Sequence, residues 1–153
     1  MRIEFLADHP GYTTELAGLH FEEWNYLRPG ESLEERTERL RASSGKTMPA
    51  VIIAIIDREL VGSAMLVEND LTSRTDLTPW LAGVYVKPQY RGRGIAKALV
   101  SRVAELAASQ SFTTIYLYTP TSSLIYEKWG WNIVDRSVQN GMLVCVMARS
   151  LTR

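Results

Sequence analysis

The sequence predicts an α/β chain built on a mixed sheet of about seven strands flanked by about four helices, in the order β-α-α-β-β-β-α-β-α-β-β. Three observations carry this. Ala50 to Asp57 and Leu60 to Glu68 are two apolar, β-branched runs around the turn "DRE", the pattern of a hairpin. Ile95, Leu99, Val103, Leu106 and Ala107 mark one face of an amphipathic helix. Near the end, "QNG" joins "WNIVDR" to "MLVCVMARSL", an Asn-Gly turn between two further strands.

The remaining elements follow in order. Ile3 to Ala7 reads as a short first strand, and from Thr13 to about Leu27 the positions Leu16, Leu19, His20, Trp24 and Leu27 recur at helical spacing. Pro29-Gly30 ends that helix, and "ESLEERTERLRAS" starts the next, with Ser32 as N-cap and Glu35 at the capping-box position. "SRTDLTP" is loop, and Trp80 to Val86 is an apolar strand that Pro88 stops. "TTIYLYT" is a strand and "SSLIYEKWG" a short helix closed by Gly130.

Composition narrows the function classes. The 153 residues fit one domain spanning 1–153, with no repeat or low-complexity linker dividing it. Lys plus Arg and Asp plus Glu both number 17, so no global field favours nucleic acid, and any positive site must be local. One cysteine, Cys145, excludes an intrachain disulfide framework and a cysteine-based zinc cluster, and its apolar neighbours make it a small core residue. His9 and His20 lack metal-ligand spacing, so no metal is expected, and both are read as surface or core residues. The N-terminus lacks a secretory pattern and no apolar run approaches membrane-spanning length, so a cytoplasmic chain with no membrane partner is expected.

The informative stretch is "VKPQYRGRG", Val86 to Gly94. A strand passing through such a loop into a helix presents free backbone N–H groups of Ile95, Ala96 and Lys97 at the helix's positive end. Gly92 and Gly94 allow the tight turn and leave those amides open to a phosphate, and Arg91 and Arg93 add positive charge. The dinucleotide fingerprint fails because Lys97 stands where its third glycine belongs, and the loop has no Gly-Lys-Ser/Thr of a Walker A motif. What remains is Gln89-x-x-Gly92-x-Gly94, and here the chain resembles the GNAT superfamily of N-acetyltransferases, whose acetyl-coenzyme A loop reads Gln/Arg-x-x-Gly-x-Gly/Ala between the fourth strand and third helix. A second segment, "TPTSSLIYEKWGW", is similar to the family's Tyr-x-x-x-Gly-Phe, with Tyr126, Gly130 and Trp131 at that spacing. Thr119 stands where the family often has Asn, and Trp131 replaces Phe as an aromatic plug. "DLTPWLAGVYV" and "IYLYTP" look like a subgroup of small bacterial-type acetyltransferases whose acceptors are generally unassigned.

The resemblance implies acetyl-CoA as donor and a primary amine, on a small molecule or a peptide, as acceptor; it leaves a homodimer open. It implies that the fourth strand splays from the fifth and offers its backbone at Val84, Tyr85 and Val86 to the pantetheine arm, with the thioester over Trp80 to Gly83. Trp24, Trp80 and Leu81 are then candidate acceptor-pocket residues. A lysine-like amine, pKa near 10.4, is roughly one part in a thousand or less neutral at pH 7, so a base is expected. No carboxylate lies on the fourth strand; Asp70 and Asp76, bordering strand ends, rank ahead of Glu68, Glu22 and Glu23, and a backbone-relayed water is an equal alternative. Tyr126 is the residue that the resemblance places at the departing sulfur. Its phenol, near pKa 10, suits hydrogen bonding to a thiolate, near 8.5, better than full proton donation. Tyr116 and Tyr118 are expected to pack. The competing class is a coenzyme A-binding regulatory protein that keeps the loop and lacks catalysis.

Overall fold

The computed structural model describes residues 1–120 and 123–151. Seven strands form one sheet in the order β1-β2-β3-β4-β5-β7-β6: β1 (Arg2–Phe5), β2 (Ala50–Ile56), β3 (Glu59–Val67), β4 (Trp80–Val86), β5 (Thr114–Thr119), β6 (Asn132–Gln139) and β7 (Met142–Ser150). Four α-helices accompany them: α1 (Thr13–Trp24), α2 (Leu33–Ala42), α3 (Ile95–Ser109) and α4 (Leu124–Lys128). The predicted fold class and element order are therefore present. Boundaries moved by a turn: the first strand stops at Phe5 and becomes a 3-10 turn, and the first helix tightens to 3-10 over Asn25–Leu27.

Strand β2 shows why its sequence is apolar without a break. Ala50, Ile52 and Ala54 face the cluster beneath α3, with Leu99, Val103 and Ala107. Val51, Ile53 and Ile55 face the opposite cluster, with Leu16 and Ala17 of α1 and Leu40 of α2. A strand covered on both faces has no solvent side on which to alternate. The hairpin to β3 turns on Asp57 and Arg58, both at positive φ (48° and 68°), the geometry of a two-residue primed turn. Asn140 and Gly141 (51° and 76°) do the same between β6 and β7. The capping box forms as predicted, Glu35 N–H donating to Ser32 Oγ and Ser32 N–H to Glu35 Oε1, both at 3.0 Å.

Two features position the site. Strands β4 and β5 run parallel but share one register pair, Trp80 with Tyr116, and separate beyond it. Strand β4 also bulges against β3, whose register shifts between Ser63 and Met65. A short parallel pairing followed by a bulge opens a wedge in the sheet, with α4 and the end of β5 on one side and the α3 loop on the other.

Candidate active site

The wedge widens into a cleft of about 910 Å³ whose lining includes Leu81, Ala82, Gly83 and Val84 of β4, Tyr118 and Thr119 of β5, Tyr126 of α4 and Asp70 beyond β3. A second hollow, about 450 Å³, adjoins it through Val84 and holds Tyr85, Val86, Tyr90, Arg91, Gly92, Gly94, Ile95, Ala96 and Lys97. The predicted loop and the predicted splay are thus two halves of one groove.

Gly94, the N-cap of helix α3, holds φ 80° and puts no side chain over the first-turn amides. Gly92 is also left-handed at φ 78°, and a Cβ added at either glycine would meet nothing within 4 Å. The space before the amides is open, as an anion site requires. The loop is braced from behind: Tyr90 Oη donates to Glu59 Oε1 at 2.7 Å, and Lys87 Nζ reaches Glu15 at 3.0 Å and Glu59 at 3.3 Å. Arg91 Nε donates to the Val86 carbonyl at 2.9 Å, while the Arg93 guanidinium lies 5.2 Å over the Tyr90 ring. Gln89 and Arg93 are exposed and lie outside the hollow's lining.

The bulge in β4 has its own support. Gly83 takes φ +59°, a left-handed backbone that favours glycine, and a Cβ there would sit 2.8 Å from Met65 Sδ, so the methionine would have to move. Its carbonyl accepts from Ser63 Oγ at 2.9 Å, and Ser63 Oγ lies 2.8 Å from His20 Nε2. Since the serine has one proton and gives it to the carbonyl, His20 Nε2–H donates to Ser63, which assigns the tautomer from the network. Burial, with Arg36 and Arg39 adding to it, pushes the His20 pKa down to about 3, so the ring is neutral. Ser63→Ala would leave the His20 N–H and one lone pair of a backbone carbonyl unpaired, and we expect it to lower the urea midpoint by the equivalent of about 1–3 kcal/mol. An unchanged midpoint would mean the bulge holds without this chain.

The two candidate carboxylates part company. Asp76 is exposed and forms a two-pronged pair with Arg74, both contacts 3.0 Å, which holds its carboxyl below the usual range; it is absent from the cleft lining. Arg74 also pairs with Asp135, so this carboxylate ties the loop to β6. Asp70, half-buried, lines the cleft, and burial raises its pKa to about 6 against the opposing pull of Arg28 and Arg39. Tyr126 also lines the cleft, its ring edge-on to Trp129 and Trp131 at 5.6 and 6.2 Å, and burial raises its pKa, so its hydroxyl stays protonated.

Other expectations need correction. Trp80 is fully buried, its indole N–H bonded to the Leu77 carbonyl at 2.7 Å, in a cluster with Leu71, Val144 and Val146. It belongs to the core beneath the 68–79 loop and lies outside the cleft lining. Trp24 and Leu81 do line the cleft. Tyr116 packs on Trp80, whereas Tyr118 packs there and also lines the cleft, burial raising its pKa to about 12. Cys145 is half-buried rather than core. Trp131 is buried as a plug, but its indole N–H has no partner among the described residues. Thr121 and Ser122, within the second motif, lie outside the described residues. Among the described residues there is no grouping of His, Cys, Asp and Glu fit to hold a metal, and no helix long and apolar enough to cross a membrane.

Known proteins share this architecture. A solved aminoglycoside 6'-acetyltransferase type Ii is 23% identical, with 100% of this chain and 99% of that one covered and a TM-score of 0.78. An aminoglycoside 6'-N-acetyltransferase complexed with coenzyme A is 21% identical, with 100% and 98% covered and a TM-score of 0.76. The Salmonella typhimurium protein yncA, solved with its cofactor acetyl-CoA, is 17% identical, with 100% and 95% covered and a TM-score of 0.71. No curated protein matches the sequence. The family profile described as Acetyltransferase (GNAT) family matches residues 13–130, from the start of α1 through the Gly92–Gly94 turn to the glycine that closes α4. The chain belongs to the GNAT acetyltransferase family.

Proposed function

We propose that this acetyltransferase takes acetyl-CoA as donor and transfers the acetyl group directly to a primary amine bound in the cleft. The observation that carries it is the continuity of the groove: an uncapped helix N-terminus with open glycines at one end, and a splayed strand edge with Asp70 and Tyr126 at the other. In this reading the pyrophosphate lies on the amides of the Gly92–Lys97 turn, aided by Arg91, and the pantetheine arm lies along Val84 to Val86. Coenzyme A and acetyl-CoA in the solved relatives lend support to that assignment.

The chain's own groups then have separate tasks. The amine nitrogen bonds to the acetyl carbon, the carbon–sulfur bond breaks, and one proton must leave the nitrogen. Asp70 is our candidate to receive it, directly or through one water. A carboxylate of pKa about 6 is a poor acceptor from a free ammonium near 10.4, but the nitrogen becomes far more acidic as it bonds to carbon. The sulfur leaves as thiolate, and the Tyr126 hydroxyl stabilises it by hydrogen bonding.

Incubation with acetyl-CoA and a panel of amines should release free coenzyme thiol with at least one of them. Binding of acetyl-CoA with no thiol release from any amine would favour a regulatory binding protein. A related expectation concerns the loop. Gly94→Val forces a β-branched residue to positive φ and projects it toward the amides, so acetyl-CoA should no longer raise the melting temperature. Calorimetry showing undiminished affinity in that variant would place the coenzyme elsewhere.

A further inference from the structure

One wall of the cleft carries charge that the transfer reaction does not use. Arg36 is 7% exposed and lines the cleft, with Arg28 and Arg39 beside it. Two of these guanidinium groups, those of Arg36 and Arg39, share one carboxylate, Glu31. Arg39 takes both of its oxygens, Nε to Oε1 at 2.9 Å and Nη2 to Oε2 at 3.3 Å. Arg36 reaches it through Nε alone, 3.2 Å from Oε2, and among the described residues its two Nη groups have no hydrogen-bond partner. Arg28 forms no ion pair among the described residues. The acidic residues that share the cleft are placed differently: Glu23 and Glu68 are solvent-exposed, and Asp70 is the candidate base.

Arg36 therefore offers unbonded Nη donors on the cleft wall, and a carboxylate in the cleft would take them bidentately. We propose that the acceptor is a small amine that also carries a carboxylate, held by Arg36 with Arg28 and Arg39 while its nitrogen faces the β4 edge. This rests on the transfer reading above and names its substrate class. Neutral or purely cationic amines would leave Arg36 unmatched and bring positive charge toward three arginines. An amino acid and the C-terminal residue of a short peptide present the same chemistry, and a free amino acid set against its N-terminally extended dipeptide separates them.

The test uses pairs that differ by the carboxylate alone: lysine with cadaverine, ornithine with putrescine, phenylalanine with phenethylamine. Calorimetry on coenzyme A-saturated protein should show the carboxylated member of at least one pair binding tenfold or more tightly, and thiol release from acetyl-CoA should follow the same order. Arg36→Met should erase that discrimination while leaving the melting temperature unchanged or higher, because an apolar residue of similar length relieves a buried charge. Arg28→Ala, at an exposed position, should shrink it severalfold and carries the test should the Arg36 variant fail to fold. Equal or weaker binding of the carboxylated member in every pair overturns the proposal, as does a preference that survives both substitutions. Selective binding without thiol release would support this site and fault the transfer chemistry, and thiol release without selectivity would do the reverse.

Discussion

If Asp70 is the base proposed above, Asp70→Asn should lower kcat about a hundred- to ten-thousand-fold with little change in acetyl-CoA affinity, since general-base assistance contributes on that scale and the residue lies away from the Gly92–Gly94 turn. The pH dependence gives the sharper signature. Burial raises the folded Asp70 pKa to about 6 from 3.8, so in the wild type kcat should climb with pH and level off above about 6. The variant should lose that limb. The sign for stability is opposite. A carboxyl whose folded pKa is raised contributes stability that is fully present below about 3.8 and is lost as pH rises through about 6. At pH 7 the wild type therefore holds a disfavoured charge in the cleft, and Asp70→Asn should melt at a higher temperature while being nearly inactive. Full activity with an unchanged pH profile would transfer the proton to a water held by backbone carbonyls. Asp76→Asn, which breaks an exposed pair with Arg74, should leave kcat unchanged.

Tyr126→Phe is the second large effect. The ring and its edge contacts to Trp129 and Trp131 are retained, so packing, melting temperature and coenzyme affinity should change little. What disappears is a hydroxyl that burial keeps protonated, in a side chain lining the cleft. In the proposed reading its bond to sulfur would strengthen only as negative charge develops, and interactions of that kind appear in kcat rather than in ground-state binding. Turnover should fall roughly ten- to a thousand-fold. With chemistry shown to be rate-limiting, an unchanged kcat would reduce Tyr126 to a packing residue.

The features legible in the sequence are those that local geometry demands. Gly92 and Gly94 announce left-handed turns before a helix, and Asn140-Gly141 announces a primed hairpin, because only a few residue types tolerate those backbones. The uninterrupted apolar run of β2 announces burial on both faces. Long-range arrangement was not legible. His20, Ser63 and Gly83 meet across separations of 43 and 20 residues, and nothing beyond a histidine in an apolar helical stripe hinted at their chain. Arg36 lies in a helix whose sequence carries six charged residues among ten, with nothing to single it out, yet it is buried against the cleft. Asp70 and Asp76, six residues apart, looked equivalent; burial and the reach of Arg74 separate them. Trp80 misled because an aromatic at a strand start serves core and pocket equally well, and here the loop folds over it.

The central claim is that a single groove holds the coenzyme's phosphates at α3 and delivers its acetyl group to the β4–β5 splay. A crystal structure of the protein soaked with acetyl-CoA tests this most directly. The pyrophosphate should lie within hydrogen-bond distance of the amides in the Gly92–Lys97 turn, the pantetheine beside Val84 to Val86, and the sulfur within reach of the Tyr126 hydroxyl. Coenzyme bound elsewhere, or at the loop with its acetyl end directed away from the cleft lined by Asp70 and Tyr126, would contradict the account.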